Sequence, residues 1–110
     1  MNILQRSAEC LGIKFTIQDE QGNDVGRAFL YIMYNDLHER PFGFMEDVYI
    51  DNFVRGRGFG TSLVKKVICT AKTHGCYKLV ATSRYSRHKV HELYISLGFS
   101  DHGKEFRIDL

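Results

Sequence analysis

The stretch Val54-Arg-Gly-Arg-Gly-Phe-Gly-Thr-Ser-Leu-Val64 (VRGRGFGTSLV) sets three glycines and two arginines directly ahead of an apolar-periodic run. Glycine is costly in a structured joint unless the backbone must adopt a conformation, or approach something, that a side chain forbids. Downstream, Phe59, Leu63, Val64, Val67, Ile68 and Ala71 fall at helical spacing with Lys65, Lys66 and Lys72 turned outward, and Gly75 is placed as a stop. Upstream, Phe42 to Ile50 alternates like a strand. Phe42, Phe44, Glu46, Val48 and Ile50 share one face, and Met45, Asp47 and Tyr49 share the other. The glycines therefore sit at a strand-to-helix turn. There the first helical N–H groups lack internal partners and the helix dipole presents positive charge, so a bound anion is favoured and Arg55 and Arg57 add charged donors. A tight turn with solvated arginines is the plain alternative.

The rest of the chain reads as strands, then helix, strand, helix, strand. Gly12 to Gln18 alternates Ile13, Phe15 and Ile17 against Lys14, Thr16 and Gln18. Asp19 to Asp24 is a turn by composition, and Val25 to Tyr34 runs apolar on both faces, as a covered central strand does. The two form a hairpin. Tyr77 to Thr82 reads as a short buried strand joined through the helix to Phe42–Ile50 by a right-handed, parallel crossover. A last helix is expected with Ser86 as N-cap, a staple between Tyr85 and Val90, and an end at Gly98 where Phe99 folds back on Tyr94 or Leu93. Lys104 to Leu110 makes a closing strand. The sum is an α+β fold: a mixed, mostly antiparallel sheet of about five or six strands with a parallel βαβ unit and two main helices.

At 110 residues the chain is a single domain, 1–110. No apolar run approaches the roughly 20 residues that cross a bilayer, so no membrane partner is expected, and nothing in MNILQRSAEC resembles an export signal, which leaves the cytoplasm as the default. Cys10, Cys69 and Cys76 are odd in number and lack C-x-x-C spacing, which argues for reduced, mostly buried thiols. A net charge of +2 does not make the whole chain a nucleic-acid binder. RGRG with Lys65, Lys66, Lys72, Lys78 and stacking from Tyr77 and Tyr85 is the competing nucleic-acid reading. Against it, those lysines of the first helix have the spacing of a solvated helix face. His88 and His91 stand three apart on the last helix without a third ligand at recognised spacing, so no metal is expected.

Three nucleotide motifs can be set beside the glycine joint. A P-loop needs a lysine after its last glycine and none follows Gly60; the dinucleotide fingerprint, which needs a ribose-binding acid about 20 residues on, does not fit either. The third pattern, R-x-x-G-x-G, is matched in full by Arg55 to Gly60. With it, VYIDNFVRGRGFG (48–60) and RHKVHELYISLGF (87–99) resemble the strand-and-loop and last-helix signatures of the GNAT superfamily of acyl-CoA N-acyltransferases.

The resemblance implies acetyl-CoA as co-substrate and acetyl transfer to a primary amine of a small molecule or peptide. It implies that Val48, Tyr49 and Ile50 offer backbone groups to pantetheine, and that Arg55, Gly56, Arg57, Gly58, Phe59, Gly60 and Thr61 hold the pyrophosphate with their amides. Tyr94 matches the family tyrosine that protonates the departing thiolate. Glu46, on an apolar face with Phe44 and Val48 that suits a carboxylate base, is the first candidate to take the amine's proton or position a water; Asp47 is the second, or holds the substrate ammonium. Arg87 stands where many members have an asparagine that touches the cofactor, and Arg84, Arg87, His88 and Lys89 form a basic cluster suited to a 3′-phosphate or an anionic substrate.

GFMEDVYI is also similar to glucosamine-phosphate N-acetyltransferases, which carry a Glu-Asp pair at that strand, whereas Ser83 to Lys89 departs from that subgroup. About ten residues precede the first strand where most members have a strand and two helices. That implies an open acceptor side, so that a second subunit completes the site, the substrate is large, or the activity is poor; a homodimer would also cover exposed apolar surface. An acyl-CoA-binding module without turnover is the remaining alternative.

Overall fold

The first hairpin is closed by one carboxylate. Asp19 accepts from the main-chain N–H groups of Gln21 (3.0 Å) and Asn23 (2.9 Å), and the Asn23 bond in particular holds its carboxyl below the usual range. Gly22, at φ 84°, supplies the left-handed residue of the turn. In this computed structural model, which describes residues 1–110, strand β1 (Cys10–Gln18) thus pairs antiparallel with β2 (Asp24–Met33). β2 pairs antiparallel with β3 (Phe42–Ile50), and β3 runs parallel to β4 (Leu79–Ala81), giving the sheet order β1-β2-β3-β4.

Helix α1 (Phe59–Thr73) makes the crossover between β3 and β4 and buries Leu63, Val64, Val67 and Ala71 against Ala28, Leu30, Ile32 and Met45. It ends as its sequence predicts. Gly75 at φ 78° lets its own N–H reach Lys72 O and the Cys76 N–H reach Ala71 O, satisfying two terminal carbonyls. Helix α2 (His88–Ser96) ends the same way, with Gly98 at φ 102°, Gly98 N–H on Ile95 O and Phe99 N–H on Tyr94 O. The Phe99 ring lies 5.2 Å from that of Tyr94, the predicted fold-back.

Several expectations are corrected. The alternation of β3 holds only to Glu46. Phe29 pairs with Glu46 and Arg27 with Tyr49, so Ala28 faces two residues, and Asp47 takes up the extra length at φ 51°. This bulge moves Val48 and Ile50 onto the Met45 side, where both pack on the core, and separates them from Glu46. The start of α2 is capped by Arg87 without a side-chain bond; Ser86 is not the cap, and Tyr85, 80 % exposed, is free of any staple. Lys104–Leu110 forms no strand, so the sheet has four strands rather than five or six. Cys10 and Cys69 are exposed and only Cys76 is buried.

Both helices border the face of the sheet that carries Leu30 and Met45. The other face, with Phe29, Tyr31, Met33, Phe42, Phe44 and Val80, has no helix over it, and these side chains are half-buried only by one another and the sheet. No helix is long and apolar enough to cross a membrane. Met45 is 1 % exposed at the point where β3 leaves β4. Met45→Ala is expected to cost about 2–5 kcal/mol of unfolding free energy, read as a lowered urea midpoint with unchanged slope.

Candidate active site

β3 pairs with β2 along its length but with β4 only at Gly43, Phe44 and Met45. Beyond that point the two parallel strands part, and Glu46 to Ile50 has no strand on its β4 side. An interior strand left with one unpaired edge is a surface for another extended chain of hydrogen-bonding groups. Asp51 N–H still bonds to Val25 O (2.8 Å), which keeps the end of β3 fixed to β2.

The chain then makes a 3₁₀ turn, Asn52–Val54, whose entry is capped by Asp51 Oδ1 accepting from Phe53 N–H and which buries Val54. This turn is absent from the sequence reading, although Asp51 ahead of an apolar pair carries the signature of a cap. Gly56 (φ 83°) and Gly58 (φ 81°) follow in the left-handed region, and Gly58 caps α1 without a side-chain bond. A Cβ on either glycine would meet nothing within 4 Å, so the glycines serve backbone direction rather than close packing. Their effect is on the amides: none of the N–H groups of Gly56, Arg57, Gly58, Phe59, Gly60 and Thr61 donates to any group of the protein. The Arg55 N–H is engaged on Asn52 O, so the free run starts one residue later than the sequence suggests.

The arginines differ in position. Arg55 Nε donates to Ile50 O (2.9 Å), and its guanidinium lies 5.7 Å from the Tyr49 ring centre. Arg27 covers the same ring at 5.0 Å, so Tyr49 is held by two cations. Arg55 thus ties the end of β3 to the glycine loop, a contact no sequence period signals. Arg57 is exposed and makes no hydrogen bond or ion pair.

Gly60 joins the loop to the second helix: a Cβ there would lie 3.8 Å from Ile50 Cγ1 and 3.9 Å from Leu93 Cδ2. The end of β3, the head of α1 and the middle of α2 therefore meet at one point, next to Tyr94. The Tyr94 phenol is raised above its ordinary value by burial, partly offset by the positive charge of Arg87. Arg87, exposed at the cap of α2, therefore shares the neighbourhood of Tyr94. Glu46 and Asp47 are both exposed, on the sheet edge at and beside the bulge, so neither has the apolar enclosure the alternation pattern suggested. His91 is occupied at Arg84 O (2.9 Å), and no group of three metal-ligating side chains occurs.

Comparisons with known proteins give the family and the fold. Residues 5–99 match the acetyltransferase (GNAT) family. Over 90 residues the chain is 35 % identical to a glucosamine 6-phosphate N-acetyltransferase of Trypanosoma brucei brucei, covering 81 % of this chain and 59 % of that protein. Over 77 residues it is 31 % identical to a thialysine N-epsilon-acetyltransferase of Bos taurus, covering 70 % of this chain and 45 % of that one. The crystal structure of a Trypanosoma brucei acetyltransferase superposes with a TM-score of 0.83 at 31 % identity, over 90 % of this chain and 69 % of the other. The chain belongs to the acetyltransferase (GNAT) family, and it spans about three-fifths or less of these two curated relatives.

Two substitutions separate loop conformation from loop packing. Gly58→Val forces a β-branched residue to φ 81° and is expected to cost about 1–2 kcal/mol of unfolding free energy, read as a lowered urea midpoint. Gly60→Ala places its Cβ at ordinary contact distance and is expected to leave the melting temperature nearly unchanged.

Proposed function

We propose that this member of the GNAT family binds acetyl-CoA and transfers its acetyl group directly to a primary amine. The observation that carries the reading is the run of free amides from Gly56 to Thr61, adjoining the unpaired edge Glu46–Ile50. Oriented N–H groups at a helix head, with no acceptor of their own and with two flanking arginines, fit a diphosphate. The open edge, beginning where β4 ends, fits the amide-bearing arm of the same molecule, with Val48, Tyr49 and Ile50 as its partners.

Acetyl-CoA supplies the thioester when bound. The acceptor nitrogen forms the C–N bond as the C–S bond breaks; the amine gives up a proton on one side, and the departing sulfur gains one on the other. Glu46 is the first candidate for the amine's proton, directly or through water, with Asp47 as the alternative or as the group that holds the ammonium. Tyr94 is the candidate for the proton to sulfur. A phenol is protonated at neutral pH, the form an acid needs, and burial extends that form further into alkaline pH. Arg87 and Arg57 stand ready for the remaining phosphate of the cofactor or for an anionic acceptor.

The relatives' names suggest the acceptors to assay first: an amino-sugar phosphate and thialysine. Binding without turnover is the second reading, and the exposure of both Glu46 and Asp47 favours it. Thiol release over an amine panel decides: Tyr94→Phe is expected to lower kcat by about 10²-fold or more while coenzyme A affinity stays within a factor of two or three. A protein that binds acetyl-CoA but releases thiol with no amine is a binding module.

The Tyr94 shift has a stability consequence with a definite sign. The folded protein favours the neutral phenol, so the contribution is complete below the ordinary tyrosine range near 10 and is lost as pH rises above it. Wild type is expected to lose more unfolding free energy between pH 9 and pH 11 than Tyr94→Phe does, measured by urea titration.

A further inference from the structure

The face of the sheet that no helix covers has two unlike halves. Residues paired across neighbouring antiparallel strands share a face, so the register writes it out in rows. Lys14, Phe29 and Glu46 lie in one row, and Arg27 and Tyr49 in the next. On the other side of these rows the face turns apolar, beginning with Tyr31, whose ring is stacked 6.3 Å from that of Phe29.

Cations outnumber carboxylates in the charged half. Lys14 Nζ lies 5.8 Å from the Phe29 ring centre, and the guanidiniums of Arg27 and Arg55 lie 5.0 and 5.7 Å from that of Tyr49. The only ion pair of the molecule is Arg107–Asp109, so none of the three is neutralised by a carboxylate. Asp24, the one carboxylate of β2, is engaged by Gln18 Nε2 at 3.0 Å. Glu46 and the neighbouring Asp47 are the carboxylates of β3, and together they do not balance three cations. Arg55 is committed through Nε to Ile50 O, whereas Lys14 and Arg27 form no hydrogen bond. A guanidinium resting on a ring is held by its face and keeps its N–H donors, which lie in its plane, for another acceptor. Arg27 is thus oriented and still free to donate.

The spacing makes one site of the two signs. Arg27 is the diagonal neighbour of Glu46, about 7–8 Å away along the sheet, and Lys14 is two strands away, about 10 Å. Glu46 is also the first residue of β3 past its pairing with β4, where the open edge begins. An ammonium drawn to Glu46 therefore enters a field of excess positive charge. Like charges cost affinity there unless the same molecule brings a negative group to meet them.

We propose that Lys14 and Arg27 form an anion subsite for the acyl acceptor: a small amine that also carries a phosphate or a carboxylate, its ammonium at Glu46, its anion at Arg27 and Lys14, and its body over Phe29. The same field disfavours polyamines. The subsite rests on amine acetylation as proposed above, although anion binding itself needs no turnover.

Two pairs of amines that differ only in the anion test it: glucosamine 6-phosphate with glucosamine, and 6-aminohexanoate with 6-aminohexanamide. In thiol release, kcat/KM is expected to be at least about tenfold higher for the anionic member of one pair or both, which also tells phosphate from carboxylate, and the preference shrinks as salt rises. Lys14→Gln with Arg27→Gln is expected to bring that ratio within roughly threefold of one, chiefly through KM; damage that falls on both members alike cancels in it. Lys65→Gln, on the outer face of α1, keeps the ratio of the wild type. Without turnover, the Arg27 Nε–Hε resonance of the coenzyme A-bound protein is expected to shift saturably with an anionic member and not with its neutral partner. That shift without thiol release on any amine overturns acetyl transfer and leaves the subsite standing. Thiol release with no charge preference, spermidine used as well as the anionic amines, a ratio that survives the double substitution, or an Arg27 resonance that no anionic amine moves overturns the subsite.

Discussion

A strand has two edges, and β3 satisfies them unequally. Toward β2 it is bonded from end to end; toward β4 it is bonded for three residues and then not at all. Main-chain N–H and C=O groups demand partners, so an interior strand open on one side is unstable unless water or another molecule supplies them. The bulge at Asp47 belongs to the same event. By adding a residue against Ala28 it turns Val48 and Ile50 into the core while Tyr49 and Ile50 stay paired with β2. The glycine loop starts from that end, and α1 starts from the loop.

The head of α1 repeats the imbalance in another form. Most helices close their first amides with a side-chain cap, but Gly58 has no side chain and the residues before it lie in loop geometry. The loop is nevertheless well braced. Arg55 binds Ile50 O, Tyr49 lies between Arg27 and Arg55, Val54 is buried, and Gly60 packs between Ile50 and Leu93. Rigid support around unpaired donors lowers the ordering cost of binding, which is why this arrangement suits an anion better than a simple turn does.

Much of this was legible in the chain. The helical period from Phe59 to Ala71 and the stops at Gly75 and Gly98 are local, and both helix ends have the geometry their glycines imply. The strand starting at Phe42 was legible to Glu46 and misread beyond it, because alternation assumes that every residue advances the pleat, and an aspartate in the left-handed region does not. The same slip put Glu46 beside Val48. Tyr85 and Ser86 have the residue types of a staple and a cap, but the chain enters α2 one residue later, through Arg87. Lys104–Leu110 has the period of a strand but pairs with no strand in the structure; period describes what a segment can bury, not where its partner lies.

The sequence by itself determined the four strands and two helices as far as Gly98, their order, the glycine joint and the family signature, because these follow from spacing within a few residues. Tertiary structure decided where β3 and β4 part, which face of the sheet stays bare, that Arg55 is spent on Ile50, and that Tyr94 comes beside the head of α1. Each of these depends on register between segments far apart in the chain, and register is set by the packing of whole faces against one another, which no local pattern encodes.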